Sequence, residues 1–401
     1  DMTKERRDMP GKGVVCCVIG TRPEAIKMAP VILALKKSAL LSPYVLATGQ
    51  HSRMMRQPLD FFGIEPDRDL ALMKEGQSLD YITTRVLVEV GEVLGEVKPF
   101  FTLVHGDTTT TMAASLAAFY RRSRIGHVEA GLRSGNVNLP FPEELNRIIS
   151  DRVAGWWFAP TEGARDNLLR EGCDPSRVVK TGNTVIDALL LATEKVSTPS
   201  YGPLSSIPPS APVMLLTAHR RESWGEPLKG ICSAVARLMA ENPDLWAIVP
   251  MHRNPEVRRV FREMLSQEER VILCEPLDYP DFIWSMKRSD LILTDSGGIQ
   301  EETTILGTPT LVMRELTERP EAIEFGTSIL VGTDPDRILA SARRVLMGNR
   351  EGFSGTSAKG ELPFGSGGAS EKIVKTIEEL FLIEARRYSS RGGPDTIDPE
   401  G

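Results

Sequence analysis

The chain lacks the marks of a secreted, membrane-bound or nucleic-acid-binding protein. Its five cysteines, Cys16, Cys17, Cys173, Cys232 and Cys274, show no paired spacing of the zinc or redox type. They read as free buried thiols of a reducing compartment. No apolar run approaches the ~20 residues of a membrane helix, and the first, Val14 to Ile19, is too short for a signal-peptide core. The expectation is a cytoplasmic protein with no membrane contact. Lys and Arg form no basic tract and the net charge is -6, which argues against nucleic acid as a partner. A small anion stays open, since a few placed arginines bind phosphate whatever the overall charge.

Cofactor signatures are missing as well. Gly11-Lys12-Gly13 precedes a strand-like run instead of following one, so no nicotinamide cofactor is expected, and there is no Walker loop. His219-Arg220-Arg221-Glu222 does not have the spacing of a helical zinc site. Asp67/Asp69 and Asp334/Asp336 lie in proline-flanked loops that follow no strand, so no metal is expected.

What is present is an alternation of short β-branched runs with helix-period segments over 401 residues, the pattern of two parallel α/β domains. Strands are predicted at Val14–Ile19, Tyr44–Thr48, Phe100–His105, Ile125–Glu129 and Trp156–Ala159, then at Val213–His219, Trp246–Met251, Val271–Cys274, Leu291–Asp295, Pro309–Met313 and Ser328–Val331. Pro199, Pro203, Pro208, Pro209 and Pro212 mark a surface connection, with the domain switch slightly before it. A second punctuated stretch, Gly352 to Gly368, precedes a last helix with Ile373, Ile377, Leu380 and Phe381 on one face.

Histidines point to a working edge. His51, His105, His219 and His252 follow predicted strands and His127 lies within one; ligands of open α/β sheets bind beyond the carboxyl ends of strands. Gly20-Thr21-Arg22-Pro23-Glu24 turns the first strand into a helix, either seating a diphosphate beside Arg22 or simply capping with Thr21. Ser296, Gly297 and Gly298 open another helix after Asp295 and suit an anion, with Glu301 or Glu302 placed for a ribose diol. Arg319 is a further phosphate candidate. Asp107 and Glu129 fall at adjacent strand ends, and Glu143 and Glu144 open a helix after Pro142. For Glu144 a plain helix-dipole role is expected.

Gly20-Thr-Arg-Pro-Glu24, Gly49-Gln-His51, His105-Gly-Asp-Thr-Thr109, His127-Val-Glu-Ala-Gly-Leu-Arg133, Thr181-Gly-Asn-Thr-Val-Ile-Asp187, Thr217-Ala-His-Arg-Arg-Glu222, Asp295-Ser-Gly-Gly-Ile-Gln-Glu-Glu302 and Glu318-Arg-Pro-Glu321 closely resemble the bacterial non-hydrolysing UDP-N-acetylglucosamine 2-epimerases. The resemblance implies the GT-B architecture: two Rossmann-like parallel-sheet domains facing a central cleft, residues 1–182 and 183–369, with a last helix 370–388 crossing back and a disordered tail 389–401. It implies interconversion of UDP-N-acetylglucosamine and UDP-N-acetylmannosamine by elimination of UDP to a 2-acetamidoglucal and re-addition, without a cofactor, in a homodimer. By motif, Asp107, Glu129 and Glu143 surround the sugar and His219 lies near the diphosphate or leaving oxygen. Arg22, Ser296, Gly297, Gly298, Glu302 and Arg319 hold UDP, and Gln50, Gln77 and His252 match a second, activating substrate site. The rival readings are a GT-B glycosyltransferase, a hydrolysing epimerase, an epimerase of UDP-2,3-diacetamido sugars and a catalytically silent sensor.

Overall fold

The computed structural model describes residues 11–49, 53–72, 76–220, 223–317, 319–349, 353 and 362–390. Its contacts divide the chain into two compact units, Asp1–Thr184 with Gly367–Gly401, and Val185–Ser366.

The first unit is a parallel sheet of order β3-β2-β1-β4-β5-β6-β7. Its strands are β1 Gly13–Ile19, β2 Leu41–Ala47, β3 Arg68–Asp69, β4 Phe101–His105, β5 Ile125–Val128, β6 Trp156–Ala159 and β7 Val178–Lys180. Its helices are α1 Arg22–Lys37, α2 Arg53–Phe62, α3 Leu79–Val97, α4 Thr109–Tyr120, α5 Glu143–Val153 and α6 Glu162–Arg170, and α7 Thr184–Lys195 leads into the second unit. Every residue of β4 and β5 is buried, as both-face burial of a parallel strand demands. The second unit repeats the scheme in the order β10-β9-β8-β11-β12-β13. It consists of β8 Val213–Thr217, α8 Glu226–Glu241, β9 Trp246–Pro250, α9 Pro255–Leu265, β10 Val271–Cys274, α10 Tyr279–Arg288, β11 Leu291–Thr294, α11 Gly297–Leu306, β12 Thr310–Val312, α12 Pro320–Phe325, β13 Ser328–Leu330 and α13 Pro335–Leu346. The last helix, α14 Ala369–Ser390, buries Ile373, Ile377 and Phe381 and packs on α1 of the first unit; Phe381 meets Phe100 edge-on at 5.1 Å.

Both units are thus the Rossmann-like parallel sheets the alternation predicts. Most predicted strands end one or two residues late: Thr48, Glu129, His219 and Asp295, and the apolar Met251, Met313 and Val331, have already left the ladder for the following loop. Two strands have too little apolar sequence to be seen. One of them, β3, pairs with β2 and corrects the loop reading of Asp69, while Asp67 lies in the bend before it. Their carboxylates are structural: Asp67 accepts from Val45 N at 2.7 Å and Asp69 from Ala71 N at 3.0 Å. The proline-rich connection is fastened down, with Ser200 and Tyr201 donating to Asp281 and Arg288 donating to the carbonyls of Pro208, Pro209 and Ala211. Residues 389 and 390, expected in the tail, continue α14, while 391–401 and most of the Gly352–Gly368 stretch lie outside the described residues. Among the described residues, no helix is long and apolar enough to cross a membrane.

Gly131 shows why a turn after β5 requires glycine. Its φ is +84°, and a Cβ there would stand 2.2 Å from the Ala164 carbonyl oxygen, a backbone atom that cannot step aside. Gly131→Ala is expected to cost about 3 kcal/mol, combining left-handed strain with overpacking. Urea unfolding of the two proteins measures it; a midpoint unchanged by the substitution would contradict the geometry.

Candidate active site

In a sheet of order 3-2-1-4-5-6 the crossovers leave in opposite directions from the first and fourth strands, and their carboxyl ends open a crevice for ligands. Here those switch points are β1/β4 in the first unit and β8/β11 in the second.

At β1/β4 the turn Gly20-Thr21 abuts Thr110, whose side chain would lie 2.7 Å from a Cβ on Gly20. Thr21 caps α1 in a full capping box, and Glu24, 3% exposed, accepts from the amides of Gly20 and Thr21 with one oxygen and from the hydroxyls of Thr108 and Thr111 with the other. The capping alternative for this turn is therefore the one realised, and an in-chain carboxylate fills the amides that a diphosphate would need. Arg22 stands half-buried at the first position of α1.

Of the three candidate carboxylates, Asp107 follows β4 itself, Glu129 follows the neighbouring β5, and Glu143 opens α5. Glu129 follows β5 with φ +67°, a left-handed conformation that a non-glycine residue holds at a cost of about 1 kcal/mol or more and that clusters at functional sites. Its buried Oε2 pairs with Lys27 Nζ of α1 and accepts from Asn183 Nδ2 at 3.0 Å, while His105 Nε2 stands 3.7 Å away. His105 itself is buried, and neither ring nitrogen has a hydrogen-bond partner among the described residues. Asp107, after β4, is held through Oδ2 by Arg147 of α5, with Nη2 at 2.7 Å and Nε at 3.0 Å, and its carbonyl accepts from Asn146 Nδ2 at 2.9 Å. Asp107 Oδ1 has no hydrogen bond among the described residues. Glu143 opens α5 half-buried, and its carboxylate has no hydrogen-bond or ion-pair partner among the described residues.

Glu144 departs from expectation. It is 1% exposed, accepts from the amides of Ser134 and Gly135 at 2.8 and 3.3 Å, and pairs with Arg147 at 2.6 Å. A helix-dipole partner would remain solvated; this one braces the loop before α5 and orients the arginine that grips Asp107.

At β8/β11 the carboxylate of Asp295, fully buried, accepts from the amides of His219 and Arg220 at 2.9 Å and from Ser223 Oγ at 3.0 Å, and meets His219 Nδ1 at 2.8 Å. Burial works to raise its pKa, but the hydrogen bonds from the His219 ring and these amides prevail and hold it below the usual aspartate value. His219 is 47% exposed, so the carboxylate fixes Nδ1 and leaves Nε2 for a ligand. Ser296 follows as N-cap of α11 without a side-chain cap bond, so its hydroxyl and the helix's first amides at Gly297 and Gly298 are not used for capping. Glu301 is committed to Arg319 in a buried ion pair that aims the guanidinium from the start of α12, and Gln300 Oε1 accepts from Thr317 Oγ1 at 2.7 Å in the same loop. Glu302, 6% exposed, sits beside Glu301 on α11.

Each sheet edge thus gathers the residues the sequence singled out on it: Arg22, Asp107, Glu129 and Glu143 in the first unit, His219, Ser296, Gly297, Gly298, Glu302 and Arg319 in the second. Of the residues matched to a second substrate, Gln50 lies outside the described residues, as does His51. Gln77 belongs to the first unit and donates to Leu72 O at 3.0 Å. His252 belongs to the second, where its ring packs against Trp224 at 5.9 Å and burial, with His219 nearby, lowers its pKa. Lys27, Asn183, Arg147 and Asp295 were not singled out as site residues from sequence.

Two open parallel sheets, each presenting charged side chains at its own switch point, define an α/β protein of the ligand-binding, doubly wound class. Within that class the chain belongs to the UDP-N-acetylglucosamine 2-epimerase family, whose profile matches residues 13–378. It is 46% identical to the UDP-N-acetylglucosamine 2-epimerases of Salmonella typhimurium and Escherichia coli K12, each over 370 residues covering 91% of this chain and 98% of the relative. Among solved structures it resembles the Neisseria meningitidis UDP-GlcNAc 2-epimerase bound to UDP-GlcNAc, with TM-score 0.83, 44% identity, and 91% of this chain and all of that one covered. The Methanocaldococcus jannaschii UDP-GlcNAc 2-epimerase in complex with UDP-GlcNAc and UDP follows at TM-score 0.76 and 32% identity, covering 91% of this chain and 99% of that one.

Proposed function

We propose that this chain interconverts UDP-N-acetylglucosamine and UDP-N-acetylmannosamine by removing the C2 proton as UDP leaves C1, giving a 2-acetamidoglucal, and then re-adding UDP as a proton returns to the other face. The observation that carries the reading is the set of three carboxylates at one sheet edge, Asp107, Glu129 and Glu143, each in a different electrostatic setting: one gripped by Arg147, one paired with Lys27, one unpaired among the described residues. Inversion at a carbon needs a base on one face and an acid on the other, and groups held in unlike environments can be in opposite protonation states at one pH. A glycosyltransferase needs no such set.

The second unit's edge supports the leaving group. Ser296 and the amides of Gly297 and Gly298 suit the diphosphate, Arg319 adds positive charge as the C1–O bond breaks, Glu302 suits the ribose, and His219 Nε2 can meet the departing oxygen; Arg22, on the first unit's edge, is a further phosphate candidate. Self-association into a homodimer is part of the proposal; Tyr81 and Val88 lie exposed on one face of α3.

Incubation with UDP-N-acetylglucosamine alone tests the activity. The expected product is a stable mixture of the two UDP sugars. Free N-acetylmannosamine rising in step with UDP would assign a hydrolysing enzyme instead, turnover only after an acceptor is added would assign a transferase, and turnover of a 2,3-diacetamido substrate alone would assign that relative.

A further inference from the structure

The side chain of His127, in the middle of β5, is completely buried, yet both its ring nitrogens have partners. Nδ1 lies 2.6 Å from Asp151 Oδ1 and Nε2 lies 2.7 Å from the carbonyl oxygen of Gly106. A carbonyl only accepts, so Nε2 carries a hydrogen. An ionised carboxylate also only accepts, so Nδ1 carries one too, and an imidazole with both is a cation. Asp151 is kept ionised by its second oxygen, which receives Gly131 N at 3.1 Å and pairs with Arg133 at 2.8 Å; Arg133 in turn forms a bidentate pair with Glu171 at 2.8 Å. Two cations and two carboxylates thus balance in one row, buried at His127 and Asp151 and reaching solvent at Glu171.

That row ends on the catalytic turn. Gly106 has φ +73°, its carbonyl is fixed by His127, and the next residue is Asp107. α5 therefore holds this turn at three points: Asn146 on the Asp107 carbonyl, Arg147 on the Asp107 carboxylate, and Asp151 through His127 on the Gly106 carbonyl. Glu143 opens the same helix, so the three ties also fix Asp107 relative to Glu143.

We propose that His127 is a positioning residue for Asp107: a buried imidazolium, braced by Asp151, whose second N–H sets the turn that presents the aspartate to the substrate. This rests on the assignment of Asp107 to the reacting set. The ionisable groups facing the ring are Asp151 on α5 and Arg133 in the loop after β5. Burial disfavours the charge, but the Asp151 carboxylate and the two hydrogen bonds prevail and keep His127 protonated above the ordinary histidine value. The raised pKa sets the sign: the tie is intact below the usual histidine titration and is lost as pH rises through the higher, folded-state value. Cys173, beside Asp151, has its thiol pushed up to about 11 and stays neutral across that window.

The test reads the proton directly and the turn through kinetics. In ¹⁵N-histidine-labelled full-length protein, one of the five histidines is expected to keep both ring nitrogens protonated above the ordinary histidine titration. Asp151→Asn should move that titration to lower pH. A titration in which every ring loses a proton at or below the ordinary histidine value overturns the proposal without any variant having to fold. In His127→Leu, which removes both the donor to Gly106 and the charge, kcat should fall about 10²-fold, the usual effect of displacing a reacting group by roughly 1 Å. KM for UDP-N-acetylglucosamine should stay within threefold, and the alkaline fall in kcat should disappear. Unchanged kcat, or KM rising in proportion, overturns the positioning role. Full activity in Asp107→Asn would instead end the site reading while leaving the ring's protonation as found.

Discussion

Glu143→Gln is expected to abolish exchange of the C2 proton while leaving UDP affinity within severalfold, and Asp107→Asn and Glu129→Gln are expected to do the same. A positioned acid or base contributes about 10² to 10⁴ in rate, and a missing one stops a reaction that needs proton transfer on both faces. The three variants should differ in stability. Glu143 has no partner among the described residues, so its substitution should leave the unfolding midpoint unchanged. Asp107→Asn takes one of two carboxylates from Arg147, which keeps Glu144, and Glu129→Gln takes the Glu129 carboxylate from Lys27, each in a largely buried place, so both should melt earlier. Proton NMR in D₂O measures exchange, calorimetry measures UDP binding, and a thermal scan measures the midpoint. Loss of UDP binding in all three would mean that these carboxylates are scaffold.

Asp295→Asn should have the next largest effect. The carboxylate receives the His219 ring, two amides and a hydroxyl, and is held ionised by them. An amide in its place offers one acceptor oxygen and sets an NH₂ against groups that donate. His219 then loses its fixed tautomer and orientation, and kcat should fall by up to about 10⁴, the drop that follows when the carboxylate behind a catalytic-triad histidine is neutralised. UDP affinity should also weaken, because the same loop leads directly into Ser296. A variant with normal kcat would remove His219 from the chemistry.

The sequence shows the sheet edges plainly and the pairings across them poorly. β-branched runs, turn glycines and polar residues at strand ends are local signals, so the positions of Asp107, Glu129, His219 and Ser296 could be read directly. Glu129 finds Lys27 across 102 positions and Arg147 finds Asp107 across 40, and nothing near either residue announces its partner. Glu144 was misjudged for the same reason: a first-turn glutamate satisfies the helix dipole in any context, and only the folded loop shows it buried on the Ser134 and Gly135 amides. The β1 turn was ambiguous because Glu24 can cap locally or solvate while an anion takes the amides; Thr108 and Thr111, from the next crossover, decide for the cap. β3 was invisible because two charged residues at a sheet edge have no apolar pattern to display.

The central claim is that side-chain acids move the C2 proton through exchange with solvent. Incubating the native protein with UDP-N-acetylglucosamine in D₂O measures this most directly. The account predicts deuterium at C2 of both UDP sugars as the mixture approaches equilibrium. Protium retained at C2 of the newly formed UDP-N-acetylmannosamine would contradict it, because the hydrogen would then have travelled with the sugar and never reached a carboxylate open to water.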